Sequence, residues 1–116
     1  MADLLIDTDV FIDHLRGHRA FAPGKHRIFY SSITRAELFA GRNADEEPIR
    51  LLLAPFTEVA VGRAIAERGG GLRRAVSISL PDALIAATAL EGGLALMTRN
   101  AREFERVEGL RLRPAG

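Results

Sequence analysis

The sequence predicts an α/β domain: a mostly parallel central sheet of four to five strands, flanked by helices. Three observations carry that prediction. Short apolar runs alternate with helical-period segments along the whole chain, which is the pattern of strand–helix–strand units. The first run, Leu4-Leu5-Ile6, is apolar at every position, as a strand buried on both faces requires. The chain has 116 residues, 47% hydrophobic and 27% charged, a size and balance that suit one folded core, so residues 1–116 are taken as a single domain.

Each element follows from local signals. Leu4–Ile6 ends in Asp7-Thr8-Asp9, and a helix continues through Val10, Phe11, His14 and Leu15 until Gly17 stops it. Residues 18–26 read as a loop or short helix, punctuated by Pro23-Gly24. Arg27 to Ser31 is the second strand. Ile33, Ala36, Leu38, Phe39 and Ala40 then fall at helical spacing, and Gly41 closes the segment. Asp45 opens a short helix carrying Ile49, Leu52 and Leu53, with Pro48 in its first turn and Pro55 at its end. Phe56 to Val61 alternates as a third strand, and a helix covers about 61–75.

Gly69-Gly70-Gly71 falls inside that helix, where each glycine costs about 1 kcal/mol relative to alanine. A break, a hinge and a close-packing point are the three readings open. Pro81, at a first helical position, opens a helix over Asp82–Glu91 that Gly92-Gly93 ends. Leu94–Thr98 is a fourth strand, Ala101–Arg106 a short helix and Leu110–Arg113 an edge strand.

Composition removes several function classes. There is no cysteine, hence no disulfide framework, thiol nucleophile, zinc ribbon or iron–sulfur site. Sixteen basic residues against 15 acidic ones leave a net charge of +1, so no global field marks a nucleic-acid binder. Only Lys25 among those bases is lysine, which excludes chemistry needing a lysine late in the chain. The first ten residues hold Asp3, Asp7 and Asp9 and no basic region, unlike a secretory leader. The longest apolar run, Ala83 to Met97, is broken by Glu91, Gly92 and Gly93, short of the roughly 18 residues of a membrane helix. A cytoplasmic protein without membrane contact is expected.

The acids fall in a pattern. Ligands of open parallel sheets gather beyond the carboxyl ends of the strands. Asp7 follows the first strand, and Glu37 lies one helical turn beyond the second. Asp82 opens the helix before the fourth strand, and Asn100 and Glu103 open the one after it. Three or four converging carboxylates fit one or two Mg²⁺ or Mn²⁺ ions and an in-line displacement at phosphorus. Helix capping is the competing explanation: Ser79-x-x-Asp82, Thr34-x-x-Glu37 and Asn100-x-x-Glu103 are each capping boxes by sequence, and Asp7 can cap the first helix. Capping accounts for one acid at a time, not for their gathering at one sheet edge. Asp3, Asp13, Asp45, Glu46 and Glu47 read as a solvated face, and His14, His18 and His26 as surface positions without ligand spacing. Phe29, Phe39, Phe56 and Phe104 read as core. Arg99, Arg102 and Arg106 cluster near the fourth station and Arg73-Arg74 precedes the third, where either group could track phosphates.

Four segments carry a family resemblance. Leu5-Ile6-Asp7-Thr8-Asp9-Val10-Phe11-Ile12-Asp13, Ser32-Ile33-Thr34-Arg35-Ala36-Glu37-Leu38, Leu80-Pro81-Asp82-Ala83-Leu84-Ile85-Ala86-Ala87-Thr88-Ala89 and Leu96-Met97-Thr98-Arg99-Asn100-Ala101-Arg102-Glu103-Phe104 resemble, in that order, the PIN-domain family. More narrowly they resemble its VapC branch, the toxin halves of type II toxin–antitoxin pairs. The resemblance spans essentially the whole chain, and the third segment is its most specific part.

The resemblance implies an endoribonuclease dependent on Mg²⁺ or Mn²⁺. It would cut RNA, often a tRNA or rRNA, to inhibit translation. It also implies a homodimer held inactive by a cognate VapB-type antitoxin in a toxin–antitoxin hetero-oligomer. The family's first three acids fall on Asp7, Glu37 and Asp82, the implied metal ligands. Many members carry aspartate at the position of Asn100 or of Glu103, and Glu103 is the fourth catalytic acid expected here. Asp9, often asparagine in the family, would support Asp7. Thr8 or Thr98 would hold a water or a phosphate oxygen, and Arg99 and Arg102 would contact RNA. Residues 33–56 would offer the antitoxin its apolar surface. The triple glycine departs from the family pattern.

Two other enzymes and one binding module compete. Asp7-x-Asp9 after a strand suggests a haloacid-dehalogenase-type phosphatase, but Phe11 stands where threonine or valine is wanted and no lysine follows Lys25. A response-regulator receiver fails on the same lysine. A PIN-like module that has lost cutting activity and binds RNA or a partner is the alternative outside catalysis.

Overall fold

A computed structural model describes residues 1–115. The elements are β1 (Asp3–Ile6), α1 (Thr8–Leu15), β2 (Arg27–Ser31), α2 (Ser32–Phe39), α3 (Glu46–Leu53), β3 (Thr57–Val59), α4 (Arg63–Ala75), α5 (Leu80–Gly92), β4 (Ala95–Thr98) and β5 (Leu112–Pro114), with a 3₁₀ turn at Ala101–Phe104. The strands form one sheet in the order β3-β2-β1-β4-β5, and every pairing is parallel. All strands therefore point the same way and share one carboxyl rim.

β1 is apolar and buried from Leu4 to Ile6 because it is the middle strand. Leu4 and Ile6 pack on one face with Val10, Phe11, Ile28, Tyr30, Leu38, Ile49 and Leu53. Leu5 packs on the other with Ile85, Ala86, Ala89, Leu96 and Phe104. This is the period of two that sends successive strand side chains to opposite faces. On the first face Phe11, Phe21, Tyr30 and Phe56 meet with ring centroids 5.5–6.3 Å apart. On the second, α5 is buried at Ala83, Ile85, Ala86, Ala87, Thr88 and Ala89, because it lies between the sheet and α4.

Several boundaries differ from the sequence reading, each for a physical reason. The third strand is Thr57–Val59, not Phe56–Val61. Phe56 is drawn into the aromatic cluster, and its N–H closes a turn on the Leu53 carbonyl at 3.0 Å. The Val61 N–H is taken by Ser32 Oγ at 3.2 Å, so α4 starts at Arg63. The last strand is Leu112–Pro114 instead of Leu110–Arg113, because the Leu110 N–H turns back to the Val107 carbonyl. The helix placed at Ala101–Arg106 is the 3₁₀ turn Ala101–Phe104. Residues 18–26 form no helix. α5 begins at Leu80, with Pro81 second in it, and Gly93 at φ 64° ends it, a left-handed conformation that glycine adopts without steric cost.

The triple glycine is a close-packing point at one residue only. A Cβ on Gly69 would lie 2.6 Å from Leu84 Cδ2 and 3.3 Å from Leu84 Cα, whereas one on Gly70 would meet nothing within 4 Å. α4 continues unbroken through all three. The histidines are not all free surface groups. Half-buried His14 and His26 accept backbone N–H bonds at Nδ1, from Phe21 at 2.9 Å and Ala2 at 3.0 Å. Among the described residues no helix is long and apolar enough to cross a membrane.

Candidate active site

Among the described residues six polar ones are buried: Asp7, Thr8, Ser31, Thr34, Thr88 and Thr98. Thr88 returns its hydroxyl to the Leu84 carbonyl within α5. The other five stand at the carboxyl rim, where β1, β2 and β4 end. Burying hydroxyls and a carboxylate is unfavourable unless each finds a partner; here Thr98 pairs with Asp7 and Thr34 with Thr8, while Ser31 takes a backbone N–H of α2.

Asp7 is fixed first. Its backbone N–H donates to the Met97 carbonyl at 2.9 Å, extending the β1–β4 pairing by one residue. Its Oδ1 accepts from Thr8 N–H at 2.8 Å and caps α1, and its Oδ2 accepts from the Thr98 hydroxyl at 2.8 Å. Asp7 is thus both a helix cap and a site acid, so the two readings of its position are compatible. Burial pushes its carboxyl up to about 7, and the charge of Asp9 and, less strongly, of Asp82 add to the rise against the two hydrogen bonds. Asp9 is itself raised by burial. It accepts from Arg99 N–H at 3.2 Å, a bond that favours its charged form.

Glu37 lies on α2, whose cap is Ser31: Ser31 Oγ accepts from Ile33 N–H at 3.0 Å. That removes the capping-box reading of Thr34-x-x-Glu37, since Thr34 sits inside the helix. Glu37 is exposed but anchored, its Oε1 accepting from the Thr8 hydroxyl at 2.7 Å. Asp82 is half-buried in the first turn of α5, where its N–H donates to Ser79 Oγ at 3.3 Å, the serine half of the capping box. Because α5 runs back toward the start of β4, its own start reaches the carboxyl rim. Burial raises the Asp82 carboxyl, and the charges of Glu37, Glu103 and Asp9 raise it further. Asp82 is thereby the meeting point: Asp7 and Asp9 from the start of α1, Glu37 from α2 and Glu103 from the 3₁₀ turn all lie within its electrostatic reach.

Glu103 is exposed on the 3₁₀ turn. Asn100 makes no side-chain cap there; its N–H donates to Thr98 Oγ1 at 3.0 Å. Thr98 thus accepts from Asn100 while donating to Asp7.

The two arginines differ. Arg99 is largely buried: its Nε lies 2.6 Å from Asp13 Oδ2 as an ion pair without a well-directed hydrogen bond, and its Nη1 donates to the Ala115 carbonyl. Asp13, read from sequence as a solvated acid, is instead the partner that ties α1 to the end of β4. Arg102 is exposed beside Glu103, in a surface depression of about 450 Å³ shared with Ser77, Glu105 and Arg106. Sequence reasoning missed Thr34 and Asp13. Thr34 was legible had Ser31, directly ending the strand, been taken as the cap.

The donors at this rim are carboxylate and hydroxyl oxygens, which suit a hard divalent cation. Among the described residues no three acidic or histidine side chains converge closely enough to enclose an ion. Crowded acids raised by burial and by one another still favour a cation that neutralises them. The set fits Mg²⁺ or Mn²⁺, which take one or two carboxylates and keep several waters, better than an all-protein cage.

Comparison with known proteins agrees with this architecture. The PIN domain family model matches residues 4–110. Ribonuclease VapC10 of Mycobacterium tuberculosis is 36% identical over 120 aligned positions, covering 93% of this chain and 90% of the relative. A toxin-antitoxin complex from Klebsiella pneumoniae contains a chain 34% identical, with a TM-score of 0.75, covering 92% of this chain and 94% of that one. VapBC2 from Rickettsia felis, bound to a DNA fragment from its promoter, contains a chain with a TM-score of 0.82 covering 98% of this chain and 99% of that one. At 20% identity that last likeness speaks for the fold alone.

Proposed function

The chain belongs to the PIN-domain family, in its VapC branch, and from that premise we propose a toxin that cuts RNA as a metal-dependent endoribonuclease. The observation that carries the site assignment is the approach of Asp7, Asp9, Glu37 and Glu103, from three other elements, to Asp82 at one rim. Asp7, Glu37 and Asp82 would hold Mg²⁺ or Mn²⁺, with Glu103 as the fourth acid. A cation there lowers the pKa of an attacking water and offsets charge on the leaving oxygen of a phosphodiester.

The protein's own groups do the rest. Thr98 and the start of α1 fix Asp7, and Thr8 fixes one oxygen of Glu37. Asp9, held by the Arg99 backbone, adds negative charge behind Asp7. Exposed Arg102 receives substrate phosphates, while Arg99 holds the scaffold. tRNA and rRNA loops are the proposed substrates, since unpaired bases can be splayed and read there, and the proposed place of action is the cytoplasm.

The proposed inhibitor is a VapB-type antitoxin, and a homodimer is the proposed toxin assembly. A groove of about 530 Å³ supports the antitoxin surface: it is lined by Ile12, Leu15, Leu38, Pro48 and Ile49 and reaches Glu37. A decayed binding module is not favoured, because all three leading acids are present and gathered. Asp7→Asn, Glu37→Gln and Asp82→Asn are each expected to reduce Mn²⁺-supported RNA cleavage at least 100-fold in folded protein. Full cleavage by any of them removes that residue from the site.

A further inference from the structure

Thr8 and Thr34 stand in the first turns of α1 and α2, the helices that leave the adjacent parallel strands β1 and β2. Their hydroxyls are 2.9 Å apart, and Thr8 Oγ1 is 2.7 Å from Glu37 Oε1. Thr34 is completely buried. A threonine hydroxyl has one proton to give, and a carboxylate only accepts. Thr8 therefore donates to Glu37, and the proton in the Thr8–Thr34 contact comes from Thr34. The opposite arrangement would leave the Thr34 proton without a partner in a buried position, which is costly.

We propose that Thr34 is a positioning residue for Glu37, acting through Thr8: its donated hydrogen bond occupies the Thr8 oxygen and commits the single Thr8 proton to Glu37 Oε1. Thr34 and Glu37 are three residues apart on α2, hence on one helix face, so the relay spans the α1–α2 contact and returns to its own helix. Glu37 Oε2 is left free of this relay and available at the rim. This inference rests on the metal-site reading above for its consequence, though not for its geometry.

The test compares Thr34→Val, which keeps the shape and removes the hydroxyl, with Thr34→Ser, which keeps the hydroxyl. Mn²⁺ binding is read directly from the free-ion electron paramagnetic resonance signal, alongside thermal denaturation. Thr34→Val should bind Mn²⁺ at least 10-fold more weakly, within the range usual for residues that orient a metal ligand. Thr34→Ser should stay within about threefold of wild type. Wild-type affinity in Thr34→Val overturns the proposal, as does equal loss in both variants, which would assign the effect to packing. If the wild type binds no Mn²⁺, the metal-site reading fails, and the relay is judged on crystal structures of metal-free protein. Loss of the Thr8–Glu37 contact in Thr34→Val and its retention in Thr34→Ser sustain it, and an unchanged contact in Thr34→Val ends it.

Discussion

Replacing Asp7 by asparagine should make the metal-free protein more stable while destroying its chemistry. The Asp7 carboxyl is pushed from its ordinary 3.8 up to about 7, chiefly by burial. The folded chain therefore holds that proton more tightly than the unfolded chain. Below about pH 4 the group is protonated in both states and costs nothing. As pH climbs from 4 to 7 the unfolded state ionises first, and folding stability falls. Above 7 the full penalty is present, about 4 kcal/mol for a difference of this size.

Asparagine carries no charge and can keep the α1 cap through Oδ1. Its amide can donate to Thr98, whose hydroxyl then turns to Asp9 Oδ2, now 3.4 Å away. Allowing about 1 kcal/mol for an imperfect exchange of hydrogen bonds, the variant should gain about 3 kcal/mol at pH 8, or roughly 10 °C in melting temperature. The assay is thermal denaturation of both proteins in EDTA at pH 4.5 and 8. The gap should be small at pH 4.5 and wide at pH 8, and added Mn²⁺ should narrow it by stabilising wild type alone. A variant less stable than wild type at pH 8, or a gap independent of pH, would refute the claim that Asp7 is a destabilising buried charge.

Other perturbations separate packing from binding. Gly69→Ala should destabilise by about 1–3 kcal/mol through overpacking against Leu84, whereas Gly70→Ala should stabilise α4 by about 0.5–1 kcal/mol; chemical denaturation of both reads the difference. Arg99→Leu leaves Asp13 and the Ala115 carbonyl without their partner and should cost about 1–3 kcal/mol in the same assay. Arg102→Ala should leave the melting temperature unchanged and raise KM for RNA several-fold, a result that diminishes as salt screens phosphate contacts. An Arg99 variant of unchanged stability, or an Arg102 variant with unchanged KM, contradicts the division of roles between them.

What the sequence made legible was what local rules govern. An apolar Leu4–Ile6 run followed by Asp7 identifies a central strand and places its acid at the carboxyl rim, because strand burial and rim chemistry both act over a few residues. Glu37 and Asp82 follow by the same logic. The order of the strands and the partners of the buried hydroxyls depend on tertiary packing. Thr34 resembled a cap because Thr-x-x-Glu fits that pattern, while Ser31 holds the role. Arg99 resembled an RNA contact and Asp13 a solvated acid because their pairing joins α1 to the end of β4, far apart in the chain. The triple glycine was ambiguous for a related reason: only the approach of Leu84 distinguishes Gly69 from Gly70.

The most direct measurement is incubation of total tRNA and rRNA with partner-free protein in Mn²⁺, in EDTA and with Asp7→Asn in place of wild type. Discrete fragments formed only by wild type with Mn²⁺ are the predicted result. Fragments that persist in EDTA or with Asp7→Asn, or no cleavage by folded protein that also fails to bind Mn²⁺, would contradict a metal-dependent ribonuclease centred on Asp7.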